Sequence, residues 1–493
     1  MAGSGFLDPG IREAALFLGG WRRTGTDLPV TEPATGRRLA QVGGATAEHV
    51  DTAVTAAVEA QRAWAAEPYP ARARVLRRAA ALFEEHAEEI AYWASREAGA
   101  VRAVAAGQGP VAAEECHEAA ALAARPHGDV LRSTQPRLSL ARRVPAGVVG
   151  VIAPFNAPLL LAIRSVAPAL ALGNAVVLKP DPRTPVTGGV VIARVFEEAG
   201  LPPGLLHVLP GGADVGAALV SHRAVPVLAF TGSTGAGRAI AAEAGRHLKR
   251  VHLELGGNSA LVVLDDADLD RAVAAGALGS FRHQGQICMA TGRHLVHESI
   301  AAEYTARLAE LAEKAVAGDP LDTSVTIGPL IDERQRDRVH RLVTDSLAAG
   351  AEAAAGGTYD GLFYRPTVLS GVTERTPAYA QEVFGPVAPV LAFRDLDQAA
   401  RLASASPYGL SLGVITRDAM KGLALADRIP SGLVHINDQT INDEPVAPFG
   451  GLGDSGNGAR HGGHATNLDA FTDTQWVTMR PEAARHTVFA PEL

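Results

Sequence analysis

The sequence predicts an α/β protein built on parallel sheets with helices on both faces. Three observations point there. Between residues 147 and 265, short apolar runs alternate with longer helix-like segments, the pattern of successive βαβ units. The short runs are apolar almost throughout rather than at every second position, as strands covered on both faces must be. Finally, 493 residues exceed what one compact core holds, so the chain divides into domains.

Taken in order, residues 46–66 and 71–98 are alanine-rich and amphipathic and read as helices, and a further alanine run carries Cys116. "STQPRLSLARRVPAGV", residues 133–148, reads as a β-ribbon. The strands of the first region are "GVVGVIAPF", "NAVVLKP", "LLHVLPG", "VPVLAF" and "RVHLELGG", separated by helices at 158–172, 185–199, 213–222 and 236–248. After Gly256 a second α/β region offers "ALVVLDD", "RHLVHE", "YRPTVLSG", "APVLAFRD", "LSLGVITR" and "GLVHIND" as strands. Its helices fall at 268–281, 300–316, 332–349, 397–403 and 418–428. Residues 467–479 are rich in threonine and aromatics and read as a last strand. Ligands of parallel sheets bind beyond the carboxyl ends of the strands, where Asn156, Lys179 and Ser233 fall.

The charge balance narrows the function. Net charge is −8 with no basic stripe, which argues against a nucleic-acid footprint. Two cysteines make no disulfide framework, and zinc-site spacings are absent, so no metal is expected and the cytoplasm is the expected compartment. The opening "MAGSGFLDPG" lacks a basic segment followed by an apolar one, and the most apolar stretch, 144–172, is broken by prolines, Asn156 and Arg164. No membrane association is expected.

Cys288 lies in "FRHQGQICMATGR", an irregular run with Gly285 and Gly292 on either side, where a thiol is placed to be reached rather than packed. Glu254 ends a strand run just before two glycines, and burial there would tune it as a general base. Asn156, between two prolines in "APFNAP", is a turn former or an amide aimed at an oxyanion. "FTGSTGAGRA" follows a strand and opens a helix, the setting for a pyrophosphate, although Ile240 occupies the third glycine position of the dinucleotide fingerprint. Lys179 adds a cation at a neighbouring strand end. Each residue alone is equally an ordinary packing, turn or surface residue.

In order, "APFNAP", "LKPDPRTP", "FTGSTGAG", "LELGGN", "GQIC", "EVFGPV", "YGLSLGV" and "PFGGLGDSG" resemble the motifs of the NAD(P)-dependent aldehyde dehydrogenase superfamily over nearly the whole chain. The resemblance implies a Rossmann-type cofactor domain (1–125 and 147–255), a catalytic domain (256–466) and bridging strands (126–146 and 467–486) that reach a partner in a homodimer or homotetramer. It implies that Cys288 attacks a small-molecule aldehyde, Asn156 holds the oxyanion, and Glu254 activates water for release of the acid. Lys179 and Asp181 would meet the adenosine ribose, Gly232 and Ser233 the pyrophosphate, and Glu382 and Phe384, with Phe155 and Gly256 alongside, the nicotinamide end.

The family's frequent glutamate three residues after the lysine is Pro182 here, so Asp181 would have to substitute, while Arg183 would accept a 2′-phosphate. NAD or NADP fits, NAD being favoured. The family's frequent lysine in "PFGGxK" is Gly453. "HQGQICM" and "HINDQTINDEP" resemble the benzaldehyde and vanillin dehydrogenase branch, with Ile287, Met289 and Leu160 walling an apolar slot for an aromatic ring. Arg164, eight residues after Asn156, supports a semialdehyde dehydrogenase instead, by binding a substrate carboxylate. A thiol hydrolase or acyl transferase, and a non-catalytic binding protein, are the remaining alternatives.

Overall fold

The computed structural model describes residues 5–7, 15–125 and 128–484. Residues 126–127 and 485–486 of the bridging segments, and most of the opening decapeptide, lie outside them. The first sheet has seven strands in the spatial order Arg250–Glu254, Val227–Thr231, Val148–Ile152, Ala175–Lys179, Leu206–Val208, Ala15–Leu18, Trp21–Arg23. Its first five strands are parallel and correspond to the five runs read from the sequence. Val148–Ile152 and Ala175–Lys179 are buried at every position, which explains their unbroken apolar character. Two short antiparallel strands at the N-terminal side complete the sheet and escaped the sequence reading.

The second sheet also has seven strands, in the order Glu352–Ala355, Thr367–Ser370, Val387–Phe393, Thr291–His297, Ser259–Val263, Ser411–Ile415, Leu433–Ile436. Four of its helices start where aspartates cap them: Asp268, Asp332, Asp395 and Asp418 each accept a backbone N–H from the first turn, satisfying a donor the helix leaves free. A third, antiparallel sheet joins Gly128–Val130, Leu138–Pro145 and Thr472–Met479.

Several expectations need correction. Residues 71–98 form two helices, Tyr69–Glu85 and Ala87–Ala98, broken at His86. The helix expected over 185–199 opens with a wide turn, Val186–Val190, before Val191–Glu198. Of the run 467–479 only Thr472–Met479 is a strand; its first five residues end the helix His464–Phe471, which buries Leu468, Ala470 and Phe471 against the first core, and they carry little β preference of their own.

Candidate functional site

Parallel strands of the first sheet carry the site at their carboxyl ends. The turn beyond Val148–Ile152 holds Phe155 and Asn156, Ala175–Lys179 ends on the lysine, and Val227–Thr231 leads into Gly232 and Ser233. Arg250–Glu254 ends on the glutamate.

Cys288 reaches this edge through an unusual turn. After the helix Leu269–Phe281, His283, Gln284 and Gly285 take consecutive φ values of 50°, 57° and 66°. Left-handed non-glycine residues cost energy and persist only where surroundings fix them. Here the His283 ring meets the Asn156 carbonyl at 2.7 Å, and Gln284 Nε2 donates to the Gly99 and Pro329 carbonyls at 2.6 and 2.8 Å. A side chain on Gly285 would lie 2.2 Å from the Gly385 carbonyl oxygen, so glycine is required. Asn156 Nδ2 donates to the Gln286 carbonyl at 2.9 Å, tying the amide to the cysteine loop while its second proton remains for a ligand.

The glycines just after Glu254 pack against the cysteine loop. A Cβ on Gly257 would sit 2.4 Å from the Cys288 carbonyl oxygen, and one on Gly256 2.3 Å from Glu382 Oε2. The chain leaving Glu254 therefore threads between the cysteine backbone and the Glu382 carboxylate, whose Oε1 accepts from the Gly257 N–H at 3.0 Å. Glu254 is 3% exposed, and neither carboxylate oxygen has a hydrogen-bond partner among the described residues. Burial lifts its pKa well above the carboxylate range, against the pull of Arg164 and Arg460. The half-buried Cys288 thiol is pushed up to about 12, by burial first and then by Glu382 and Glu254. At rest it is protonated.

Ile287 and Cys288 pack against Met289, Leu410 and Phe449, with Leu433 and Ile441 alongside, so one wall of the thiol is apolar. Ile287 and Met289 both belong to this cluster. Leu160 is half-buried on the first turn of Pro158–Ala171 and does not join this cluster. Phe449, Leu410 and Ile441 were not singled out in sequence; their chain distance from Cys288 gave no local signal.

Arg164 is corrected outright as a free anion receptor. It is 3% exposed, donates to Asp443, lies 4.0 Å from Glu115, and covers the Phe449 ring at 4.8 Å. Its charge is matched by Asp443 and Glu115, both reached from Nη2, while Nε and Nη1 have no hydrogen-bond partner among the described residues.

The dinucleotide candidates can be tested against the fold. Lys179 is 8% exposed and makes no ion pair within 4 Å among the described residues. A buried ammonium without a partner is costly and marks a place where a polar ligand would bind. Burial lowers its pKa, with Asp181 opposing. Ser233 caps the helix Thr234–Arg246, accepting from Ala236 N–H at 3.4 Å, and a side chain on Gly235 would meet open space. These features fit a dinucleotide lying over the helix start. Asp181, however, binds Arg183 through both carboxylate oxygens, at 2.8 and 2.9 Å, and is not free to bond a ribose. Gly453 adopts φ +57°, and a Cβ there would lie 2.4 Å from the Pro407 carbonyl oxygen, so in this backbone the position has no room for a lysine side chain.

No helix among the described residues is long and apolar enough to cross a membrane. Residues 21–477 match the model of the Aldehyde dehydrogenase family. A vanillin dehydrogenase of Amycolatopsis sp. is 63% identical over 97% of this chain and 99% of its own length. A benzaldehyde dehydrogenase [NAD(+)] of Pseudomonas putida is 50% identical over 96% and 97%. Among solved structures, the NAD+ complex of an aldehyde dehydrogenase from Bacillus cereus superposes with TM-score 0.92 at 33% identity, covering 95% of this chain and 97% of that one.

Proposed function

This chain belongs to the aldehyde dehydrogenase family, and from that premise we propose that it oxidises aromatic aldehydes to carboxylic acids with NAD. The observation that carries the reading is the passage of Gly256 and Gly257 between Glu382 and Cys288, which sets a buried, unpartnered carboxylate beside a reachable thiol.

In this reading the Cys288 thiol passes its proton to Glu254, which releases it to solvent, as the sulfur bonds to the carbonyl carbon. The alkoxide formed is held by the free amide proton of Asn156 and the Cys288 N–H, donors fixed before charge develops. A bound NAD supplies a hydride acceptor. Loss of hydride from the tetrahedral carbon leaves a thioester on Cys288. Glu254, with its high proton affinity, takes a proton from water as the oxygen attacks that thioester. The acid leaves and the thiol is restored.

Lys179 holds the adenosine ribose, Gly232 and Ser233 the pyrophosphate, and Glu382 and Phe384, with Phe155, the nicotinamide end. NAD is favoured because Arg183, the cation nearest Lys179 in sequence, is matched by Asp181 and Asp332. The apolar wall of Ile287, Met289, Leu410 and Phe449 suits an aromatic ring better than a carboxylate. Residues 1–125 with 147–255 serve as the cofactor domain and 256–466 as the catalytic domain. The small sheet exposes Trp476 at 63% and Val130 at 78%, which supports a homodimer or homotetramer formed through 126–146 and 467–486. Two free cysteines suit the cytoplasm.

The assay is growth of reduced-nicotinamide absorbance with benzaldehyde, succinate semialdehyde and an aliphatic aldehyde, each with NAD and with NADP. Benzaldehyde with NAD gives the highest kcat/KM; preference for the semialdehyde would refute the substrate class.

A further inference from the structure

Five side chains close a ring of contacts between the two sheets' elements. Arg183 follows the Lys179 strand and donates to Asp181 from Nε and Nη2. Its Nη1 donates across to Asp332 Oδ2 at 2.8 Å. The other Asp332 oxygen accepts from the Gln335 N–H at 2.8 Å and caps the helix Glu333–Ala348. Gln335 Nε2 donates to the Phe384 carbonyl at 2.8 Å and to the Val383 carbonyl at 3.2 Å. Phe384 stands edge-on to Phe155 with centroids 5.9 Å apart, and Phe155 lies 4.1 Å beneath the Arg183 guanidinium. Ring closed.

Phe384 sits at φ +55°, a conformation unfavourable for any residue with a side chain. Such a residue keeps its shape only when its surroundings over-determine it, and here both its carbonyl and its ring are held. Arg183 supports both holds: the carbonyl through Asp332 and Gln335, the ring through Phe155. The guanidinium is 39% exposed and Asp332 34%, so the ion pair contributes little to global stability. Its effect lies in geometry. Only a planar fork can take two carboxylates at its edge while stacking an aromatic on its face; lysine cannot.

We propose that Arg183 is a positioning residue that clamps the cleft and fixes Phe384, so that the Phe155–Phe384 pair is set before the cofactor arrives. This rests on the reading above in which Phe384 faces the nicotinamide. Both edges of the guanidinium being occupied, Arg183 is not a receptor for a 2′-phosphate.

The test uses Asp332→Asn and Arg183→Gln in the full chain. Asparagine still caps the helix, so the first variant removes the ion pair alone and guards against a misfolded second one. Without cofactor, amide hydrogen exchange over residues 383–385 speeds up by about tenfold in both variants, as expected when a locally held segment is released. With benzaldehyde and NAD, kcat falls by roughly three- to thirtyfold, given how steeply rate depends on reacting geometry. The primary isotope effect from deuterium on the formyl carbon stays at or above the wild-type value. Arg183→Lys does not restore slow exchange. Unchanged exchange in both variants, or an isotope effect falling to unity, overturns the proposal. So does a selective loss of NADP affinity in Arg183→Gln, measured by quenching of protein fluorescence, because it would make Arg183 a phosphate ligand. If the wild type reduces no cofactor with any aldehyde, the functional reading fails while the exchange result still decides the clamp.

Discussion

Arg164 donates to the carboxylate of Asp443 in the protein interior, behind the aromatic wall of the candidate site. The pair turns an apparent substrate ligand into a structural one. Leucine at position 164 leaves Asp443 and Glu115 without their cation, and breaking a buried pair costs about 3–5 kcal/mol. Arg164→Leu therefore lowers the unfolding free energy by that order in urea titrations, and Arg164→Leu with Asp443→Leu recovers part of it. The ratio of benzaldehyde to semialdehyde turnover stays unchanged in whatever folded enzyme remains.

Cys288 is a slow thiol at rest. With its pKa pushed up to about 12 by burial, Glu382 and Glu254, little thiolate exists at neutral pH. Iodoacetamide labels it slowly at pH 7, and the rate climbs with pH through 9 without a plateau. A cation placed beside the sulfur reverses part of the shift, so saturating NAD accelerates labelling. A plateau near pH 8 in the free protein would show that the carboxylates do not act on the sulfur.

For Glu254 the raised pKa fixes the sign of the pH dependence. The ionised form is the base, so steady-state turnover rises with pH through the ionisation of Glu254. Glu254→Gln removes that rise and lowers the steady-state rate by about 10²–10⁴-fold, the usual contribution of a general base. A first turnover of reduced cofactor remains.

Glu97 offers a test of the fold rather than the chemistry. It is buried and accepts the Val186 and Thr187 N–H groups at 2.8 and 2.7 Å, holding the wide turn beneath the cofactor side. Burial raises its pKa to about 7. A carboxyl raised above its unfolded value stabilises the fold fully below that value, and the contribution is lost as pH rises towards 7. Glu115 and Glu382, also raised to about 7, act in the same window. Buried His207, His252, His283 and His294, lowered by burial, act in the opposite sense up to about pH 6.5, so Glu97 is read by difference: the change in unfolding free energy from pH 5 to pH 8 is about 1–3 kcal/mol more favourable in Glu97→Gln than in the wild type. An unaltered slope in urea titrations at the two pH values would contradict it.

The parallel strands were legible because burial on both faces leaves only apolar residues along them, as in Ala175–Lys179. Helix starts showed at the aspartates 268, 332 and 418, whereas the start read at 397 lies two residues past the actual cap, Asp395. Cys288, Glu254 and Asn156 were legible as candidates from residue type and position, but their meeting depends on Gly257 against the cysteine carbonyl, a contact no local pattern encodes. For the same reason Arg164 was ambiguous: its partner Asp443 lies far along the chain. The start of the run 467–479 was misread because the threonines and tryptophan of Thr472–Met479 lent strand character to the whole segment, while its first five residues close the helix His464–Phe471.

The central claim is that the substrate carbonyl carbon becomes bonded to the Cys288 sulfur. It is tested most directly by mixing Glu254→Gln with benzaldehyde and NAD, quenching in acid within the first turnover, and sequencing the peptides by mass spectrometry. A benzoyl group on the peptide at Cys288, absent when NAD is omitted, is the expected result. Reduced cofactor formed in stoichiometric amount with no acyl group on that sulfur would contradict it.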